Sequence, residues 1–265
     1  MDDAFYDAMP RLGFGAMRMP TTDGDVRHVD MPQVEAMVDE FLRHGYRYFD
    51  TAWVYHDGLS EQTIAQALVD RHPRDSFYLA DKCTGWCLKD GFGPEDMFKQ
   101  QLQRCRVGYF DFYLLHSVDQ TTIGHYDRYG CWQWLAGKKA SGQVRHIGFS
   151  FHGDPAMLER LLTAHPEIEF VQLQINYIDW DDARVQAGAN YQVARRHGKR
   201  VNVMEPVKGG ILANLTDSCR AIYTRQDPAA SLASWALRYV ASLDGLNVVL
   251  SGMSTLAQVR DNVAT

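Results

Sequence analysis

Short apolar runs recur along the chain at intervals of about 25 to 47 residues. Each run is four to seven residues long and rich in β-branched or aromatic side chains, which is typical of a buried strand. The runs begin near Leu12, Tyr46, Phe77, Phe110, Arg145, Phe170, Arg200 and Asn247. Between them, apolar residues recur at helical spacing, as at Leu158, Leu161 and Leu162. The pattern therefore predicts eight strands that alternate with helices.

Proline and capping residues mark several of the predicted helix starts. Pro32, Pro94 and Pro155 each stand where a helix would begin, and proline suits the first helical turn because its missing N–H would have no partner there. Asp154, directly before Pro155, and Ser60 lie near two helix starts. Their short polar side chains predict that both cap a helix N-terminus.

The alternation of strands and helices favours one fold over its main alternative. Eight units of about 33 residues predict a (β/α)₈ TIM barrel with a parallel sheet, in a single domain over residues 1–265. A Rossmann sheet would need a G-x-G-x-x-G turn after the first strand, and Gly13-Phe14-Gly15-Ala16 does not continue in that way. The segment Ser254–Thr265 is predicted to be the final helix, and no second domain is expected.

Composition and charge narrow the class of protein. The chain has 265 residues, of which 46% are hydrophobic, so it can bury a large core. Its net charge of −6 argues against a nucleic-acid or anionic-membrane partner. No apolar run reaches the 18 or so residues of a membrane span. The acidic start Met1-Asp2-Asp3-Ala4 does not resemble a signal peptide, so we expect a cytoplasmic protein.

The five cysteines include no C-x-x-C pair. Cys83 and Cys87 are four positions apart, which is too little for an iron–sulfur site without further ligands. We therefore expect reduced thiols that lie mostly in the core, and no metal site.

Polar residues stand where the predicted strands end. The second strand runs into Asp50, the third into Lys82 and the fourth into His116. In a (β/α)₈ barrel, catalytic groups lie at the carboxyl ends of the strands. Ionisable groups buried there must either pair with one another or take part in chemistry, because unpaired burial is costly. A salt-bridged barrel rim and an active site are both consistent with these three residues.

Tyr55 follows Asp50 by five positions, in the loop before the second helix. A free phenol has a pKa near about 10, and a neighbouring ammonium such as that of Lys82 would lower that pKa. Asp50 would hold Lys82 charged, and His116 would donate a hydrogen bond to a substrate oxygen. Such a site protonates an oxyanion as it forms. A carbonyl that receives hydride forms one, and a cofactor must supply that hydride.

The set Asp50, Tyr55, Lys82 and His116 resembles the catalytic tetrad of the aldo-keto reductase family. The stretches LGFGAMRMP, YFDTAWVYHDGLSE, DFYLLH and IGFS are similar to that family as well, and the likeness extends from about Leu12 to Val263. FSFHG, QLQINYID and VMEPVKGGIL most resemble a subgroup in which a ferredoxin-like tail with cysteine clusters follows the barrel. This chain stops after the eighth helix, so an iron–sulfur tail or partner is left open.

The resemblance implies an extended NADP(H), with NAD(H) as the alternative, bound across the barrel mouth. It assigns Ser150 and Gln172 to the nicotinamide carboxamide and Met204 to the position that stacks on the ring. It assigns the remaining cofactor contacts to the diphosphate loop, the last loop and the last helix. The implied cofactor-binding residues are Asp50, Ser150, Gln172, Met204, Lys208, Gly210, Ser251, Gly252, Asp261 and Asn262.

Two positions depart from the family's pattern. Phe151 stands where relatives carry an asparagine beside the nicotinamide, so one amide contact is lost or replaced. The basic residue that relatives place after the last strand, against the 2′-phosphate, has no counterpart among Gly252, Met253 and Ser254. Arg260, in the last helix, is a substitute or a plain surface residue.

The substrate pocket is predicted to be lined by Met17, Trp53 and Trp86. Three functions are consistent with this sequence. The first is an NAD(P)H-dependent enzyme that reduces a small aldehyde or ketone to an alcohol, with Tyr55 as general acid. The second is a nicotinamide-binding regulatory subunit that senses redox state, and the third is the barrel half of an iron–sulfur electron-transfer protein. The particular carbonyl compound and the oligomeric state stay open, because pocket loops vary freely.

Overall fold

A computed structural model describes residues 3–265 of the chain. In this part of the chain, eight parallel strands pair in sequence order, and the eighth strand pairs with the first to close a barrel. The predicted (β/α)₈ barrel is thereby confirmed. The strands are β1 (Leu12–Gly15), β2 (Tyr48–Asp50), β3 (Tyr78–Cys83), β4 (Phe110–Val118), β5 (Val144–Phe151), β6 (Phe170–Gln174), β7 (Arg200–Met204) and β8 (Leu246–Gly252).

Helices surround the barrel; one precedes the first strand, one follows the last, and the others lie between successive strands. They are α1 (Asp3–Ala8), α2 (Met31–Arg43), α3 (Ser60–Ile64, which continues as a π-helical stretch, Ala65–Val69), α4 (Pro94–Cys105), α5 (Ile123–Arg128), α6 (Cys131–Ala140), α7 (Pro155–Ala164), α8 (Ala187–Arg196), α9 (Asp217–Gln226), α10 (Leu232–Ala241) and α11 (Leu256–Val263). Of the helices in residues 3–265, not one combines the length and the apolar character that crossing a bilayer requires.

The predicted helix starts are confirmed with one exception. Pro32, Pro94 and Pro155 lie in the first turns of α2, α4 and α7, and the Asp154 carboxylate accepts a hydrogen bond from the backbone of α7. The prediction that Ser60 is a cap is wrong. Ser60 is already helical, and its hydroxyl donates instead to the backbone carbonyl of the loop after β1, at 3.0 Å.

The core has two layers, because successive residues of each strand point to opposite faces. On β4, Phe112 and Leu114 face the barrel interior, whereas Tyr113 and Leu115 face the surrounding helices. The amino-terminal end of the interior is closed by α1, whose Tyr6 packs with the inner layer. Access to the interior is therefore expected from the carboxyl ends of the strands.

The five cysteines are all free. Cys83, Cys105 and Cys131 are buried, Cys87 is half-buried and Cys219 is exposed. This agrees with the expectation of reduced thiols that lie mostly in the core.

Candidate active site

One layer of inward-facing side chains lies at the carboxyl ends of the strands. The alternation that places Phe112 and Leu114 inside the barrel also turns His116 inward. Asp50 is the last residue of β2 and Lys82 is the last but one of β3, and Ser150 on β5 pairs in register with Gln172 on β6. All of these side chains are buried. The structure therefore brings the polar strand ends together at one mouth of the barrel.

Lys82 is the central charge of this layer. Its side chain is fully buried, and its Nζ donates to the Asp50 carboxylate at 2.5 Å and to the Thr51 carbonyl at 2.7 Å. Burial alone would lower the pKa of Lys82, but the charge of Asp50 and the contact with Tyr55 raise that pKa above its ordinary value. Lys82 therefore stays an ammonium at neutral pH.

Tyr55 lies directly over this ammonium, with Nζ of Lys82 4.6 Å from the centre of its ring. The turn Tyr55–Gly58 holds the ring in place with left-handed backbone at His56 (φ 49°) and Asp57 (φ 53°), which is uncommon outside glycine. The expected lowering of the phenol pKa is wrong for the protein alone. Burial raises the pKa of Tyr55 and outweighs the opposing charge of Lys82. The phenol therefore keeps its proton at neutral pH.

His116 is placed by an irregularity in β4. Leu115 pairs with Phe149 and Val118 with Phe151, so β4 carries one residue more than β5 here, and Ser117 has a φ of 53°. Such bulges re-aim side chains next to active sites. Burial, together with the charge of Lys82, holds the pKa of His116 well below its usual range. His116 is therefore a neutral hydrogen-bonding group.

The contacts of His116 tie it to its neighbours. Its Nδ1 lies 3.3 Å from the Thr84 hydroxyl, and its ring lies edge-on to Tyr55 with centres 5.6 Å apart. The buried Tyr126 of α5 donates its hydroxyl hydrogen to the His116 carbonyl and accepts the Gly85 N–H at 3.1 Å. Sequence patterns did not single out Tyr126, because a tyrosine in a short helix carries no signal of such a long-range contact.

The residues assigned to the nicotinamide carboxamide are adjacent. The Ser150 hydroxyl oxygen accepts the Ser117 N–H at 2.6 Å, and the Gln172 side-chain nitrogen lies 3.7 Å from the Met204 sulfur. Within the described residues, the buried Oε1 of Gln172 has no hydrogen-bond partner. A buried acceptor without a partner is costly, so this atom fits the amide hydrogens of a carboxamide.

The departure at Phe151 has a structural explanation. Its side chain points out of the barrel wall, because the alternation that turns Ser150 inward turns Phe151 outward. There it packs edge-on against Phe149, with ring centres 5.9 Å apart, and beside Gly153. Phe151 therefore belongs to the outer core and supplies no replacement for the family's amide contact.

The last strand and helix bring two of the implied residues together. Ser251 at the end of β8 accepts a hydrogen bond from the buried Asn262 of α11 at 2.8 Å. The neighbouring Asp261 is exposed and accepts one from the Ser231 hydroxyl at 2.6 Å. Gly252 lies at the end of β8 and is exposed.

Lys208 has a partner that the sequence did not reveal. Its ammonium pairs with Asp179, a buried carboxylate that also accepts from Gln174 and Asn176. This contact joins the loop after β6 to the loop after β7. Gly210 follows in the same loop with a φ of 95°, which glycine adopts without strain.

The three predicted pocket residues have different surroundings. Trp86 is 40% exposed with its ring 5.3 Å from that of His116, and Met17 is 52% exposed in the loop after β1. Trp53 instead lies under the guanidinium of Arg104, at 3.7 Å, and beside Phe92. The structure therefore places Trp86 beside the tetrad and Trp53 against α4.

Arg18 is a basic residue at the mouth that the sequence reading did not select. A Cβ built on Gly209 would lie 3.4 Å from its guanidinium, and one on Gly252 would lie 3.5 Å from its Cδ. Its guanidinium is 3.9 Å from the Glu205 carboxylate. Its position three residues after the end of β1 is the sequence feature that could have identified it. Arg260, the substitute considered above, pairs with Glu40 at 3.5 Å.

The sequence was also compared with known protein families. The family model "Aldo/keto reductase family" matches residues 11–265. The chain belongs to the aldo/keto reductase family. Among residues 3–265, there is no cluster of three or more histidine, cysteine, aspartate or glutamate side chains that could hold a metal ion.

Relatives and solved structures are similar over different lengths. The chain is 30% identical to methylglyoxal reductase DkgA of Yersinia pestis over 56% of this chain and 48% of that one. It is 24% identical to L-galactose dehydrogenase of Arabidopsis thaliana, in a match that covers 96% of this chain and 83% of that protein. It thus spans about half the length of the first relatives it matches. An aldo/keto reductase of Klebsiella pneumoniae, solved in complex with NADP and acetate, shares the fold with a TM-score of 0.74 at 20% identity. The match covers 97% of this chain and 85% of that one.

Proposed function

We propose that this protein is an NADPH-dependent enzyme that reduces an aldehyde or ketone to an alcohol. The observation that carries the proposal is the buried ammonium of Lys82, held by Asp50 and lying 4.6 Å from the ring centre of Tyr55. A protonated phenol beside a fixed positive charge can give its proton to an oxygen that becomes negative.

Each group has a separate role in this proposal. Tyr55 donates the proton, and Lys82 stabilises the phenolate that remains. Asp50 keeps Lys82 charged inside the barrel. His116, which is neutral, donates a hydrogen bond that orients the substrate carbonyl, and Trp86 packs beside that carbonyl at the mouth.

The residues present fit the cofactor at both ends. When bound, NADPH supplies the hydride that the protein's own side chains lack. Gln172 offers its free acceptor, and Ser150 offers its hydroxyl hydrogen, to the carboxamide. Met204 would offer its polarisable sulfur to the nicotinamide ring. Arg18 supplies a positive charge between Gly209 and Gly252, where the phosphates would pass.

The names of relatives support the chemistry without fixing the substrate. They include a methylglyoxal reductase, a D-galacturonate reductase and an aldehyde reductase, all of which are named for carbonyl compounds. We therefore propose a small carbonyl compound as substrate. The complete set of protonating groups is what turnover needs, so we favour the reductase over the regulatory subunit and the iron–sulfur electron-transfer protein.

The test is NADPH oxidation by the purified protein with a panel of aldehydes, ketones and quinones. Tyr55→Phe is the decisive variant. Tyr46→Phe is the matched control, because Tyr46 packs against Phe41 on the outer side of the barrel. Activity that is lost in Tyr55→Phe and kept in Tyr46→Phe supports the proposal. No NADPH binding and no turnover by the wild-type protein would overturn it.

A further inference from the structure

The residue that follows Tyr55 is a buried histidine. His56 is 6% exposed and adopts a left-handed backbone conformation, with a φ of 49°. Asp57 and Gly58 continue in the same region, with φ of 53° and 85°. Three consecutive residues in this region form a sharp turn, and the non-glycine conformations cost energy that surrounding contacts must offset. His56 is not part of the tetrad.

Both ring nitrogens of His56 bind the loop after β1. Nε2 accepts the Met19 N–H at 2.8 Å, and Nδ1 lies 3.0 Å from the Val26 carbonyl oxygen. A carbonyl only accepts, so Nδ1 carries the proton and Nε2 is the acceptor. The ring is therefore neutral and joins two points of one loop, seven residues apart in the chain. The backbone of Met19 is buried, so its N–H would lose its partner without this ring.

Other side chains bind the same segment at its earlier residues. The Ser60 hydroxyl donates to the Ala16 carbonyl at 3.0 Å, and the Ser254 hydroxyl donates to the Arg18 carbonyl at 2.6 Å. Together with His56 on Met19, these contacts hold the backbone of residues 16–19 from the turn after β2, from α3 and from the loop after β8. Met17 and Arg18 thus project from a fixed backbone, with Arg18 beside Gly209 and Gly252.

We infer that His56 is a positioning residue, which fixes the loop after β1 against the turn that carries Tyr55 and so aims Met17 and Arg18 at the mouth. The part of this inference that concerns NADPH rests on the proposed function. The physical reason is that a charged side chain contributes to binding only in so far as its geometry is fixed in advance. His56 touches neither the reacting atoms nor Lys82, so it acts through the loop.

Four variants test the inference. His56→Ala removes both contacts, whereas His56→Gln keeps an acceptor for the Met19 N–H. Ser254→Ala removes the separate contact on Arg18. His28→Ala is the control, because this histidine lies in the same loop with its side chain 57% exposed and pairs with Asp23 rather than with Met19 or Val26. Hydrogen exchange of residues 16–29 is measured without cofactor, and the Kd for NADPH is measured by quenching of tryptophan fluorescence.

We expect faster exchange of the Met19 amide and about a tenfold higher Kd for NADPH in His56→Ala, because losing both hydrogen bonds frees the loop that carries Arg18. His56→Gln should stay within about threefold of the wild type, Ser254→Ala should lie between them, and His28→Ala should match the wild type. The KM for NADPH should rise more than kcat falls.

The outcomes separate the two proposals. Unchanged exchange and unchanged Kd in both His56→Ala and Ser254→Ala would overturn the positioning role. If hydrogen exchange of residues 16–29 were unchanged in both His56→Gln and His56→Ala, the positioning role would also be overturned, whether or not NADPH binds. A wild-type protein that does not bind NADPH would overturn the proposed function instead, and the exchange data would still decide whether His56 holds the loop.

Discussion

Lys82→Met removes the partner of a buried carboxylate and leaves Asp50 alone inside the barrel. The two side chains are 0% and 3% exposed, and their charged atoms are 2.5 Å apart. The second carboxylate oxygen of Asp50 already has no hydrogen-bond partner among the described residues, so neither oxygen would be satisfied. Breaking a buried pair from one side costs about 3–5 kcal/mol. We expect the free energy of unfolding to fall by about that amount at about pH 8.

This loss should become smaller in acid. Burial raises the pKa of Asp50 in the folded protein and outweighs the opposing charge of Lys82. Without Lys82 that pKa rises further. A carboxyl group with a higher pKa in the folded state binds more protons there, so its protonation stabilises the fold as pH falls. The difference between Lys82→Met and the wild type should therefore be smaller at about pH 5 than at about pH 8.

Urea unfolding followed by tryptophan fluorescence measures both effects. The control is the double variant Asp50→Asn with Lys82→Met, which removes both charges and should recover more than half of the lost stability. Neither variant should reduce carbonyl compounds, because both lack the ammonium beside Tyr55. A loss below about 1 kcal/mol in the single variant, well under the cost of an isolated buried charge, would refute this reasoning. A double variant no more stable than the single one would refute it as well.

Three further variants separate the proton donor from residues that hold the site's structure. Tyr55→Phe should lower kcat by about 10²–10⁴ and leave the Kd for NADPH nearly unchanged, because the phenol acts on the developing alkoxide; activity above about a tenth of wild type would assign the proton to another group. Tyr126→Phe should lower the free energy of unfolding by about 1–3 kcal/mol and lower kcat through His116; an unchanged kcat in steady-state assays would show that His116 keeps its place without it. Asp179→Asn should lower the free energy of unfolding by about 1.5–3 kcal/mol in urea melts, because Lys208 loses its partner; an unchanged midpoint would contradict that.

The barrel and its polar mouth could be predicted because both depend on local patterns. An apolar run such as residues 112–115 of β4 marks a strand by itself, and His116 follows that run directly. Asp50, Lys82 and His116 could therefore be placed at one mouth before any contact was known. Strand position and side-chain direction depend only on residues that are close together in the sequence.

The rest depends on contacts between distant parts of the chain. The surroundings of Trp53 depend on Arg104, which is far from it in sequence. The partner of Lys208 is likewise a buried aspartate on another loop. The pKa of Tyr55 depends on how deeply the ring is buried, and no spacing in the sequence measures burial. Ser60 looked like a cap because its type and position fit, but a carbonyl after β1 competes for the same hydroxyl.

The extra residue in β4 has a consequence for which cofactor analogues fit. Because the Ser150 oxygen already accepts the Ser117 N–H, its own hydrogen is what remains for a ligand. Gln172 offers the opposite polarity, an acceptor oxygen without a partner among the described residues. A carboxamide satisfies one donor and one acceptor at once. If the cofactor binds as proposed, a nicotinic acid analogue would turn a carboxylate toward the Gln172 oxygen, and this pair of side chains would favour an amide over an acid of nearly the same shape.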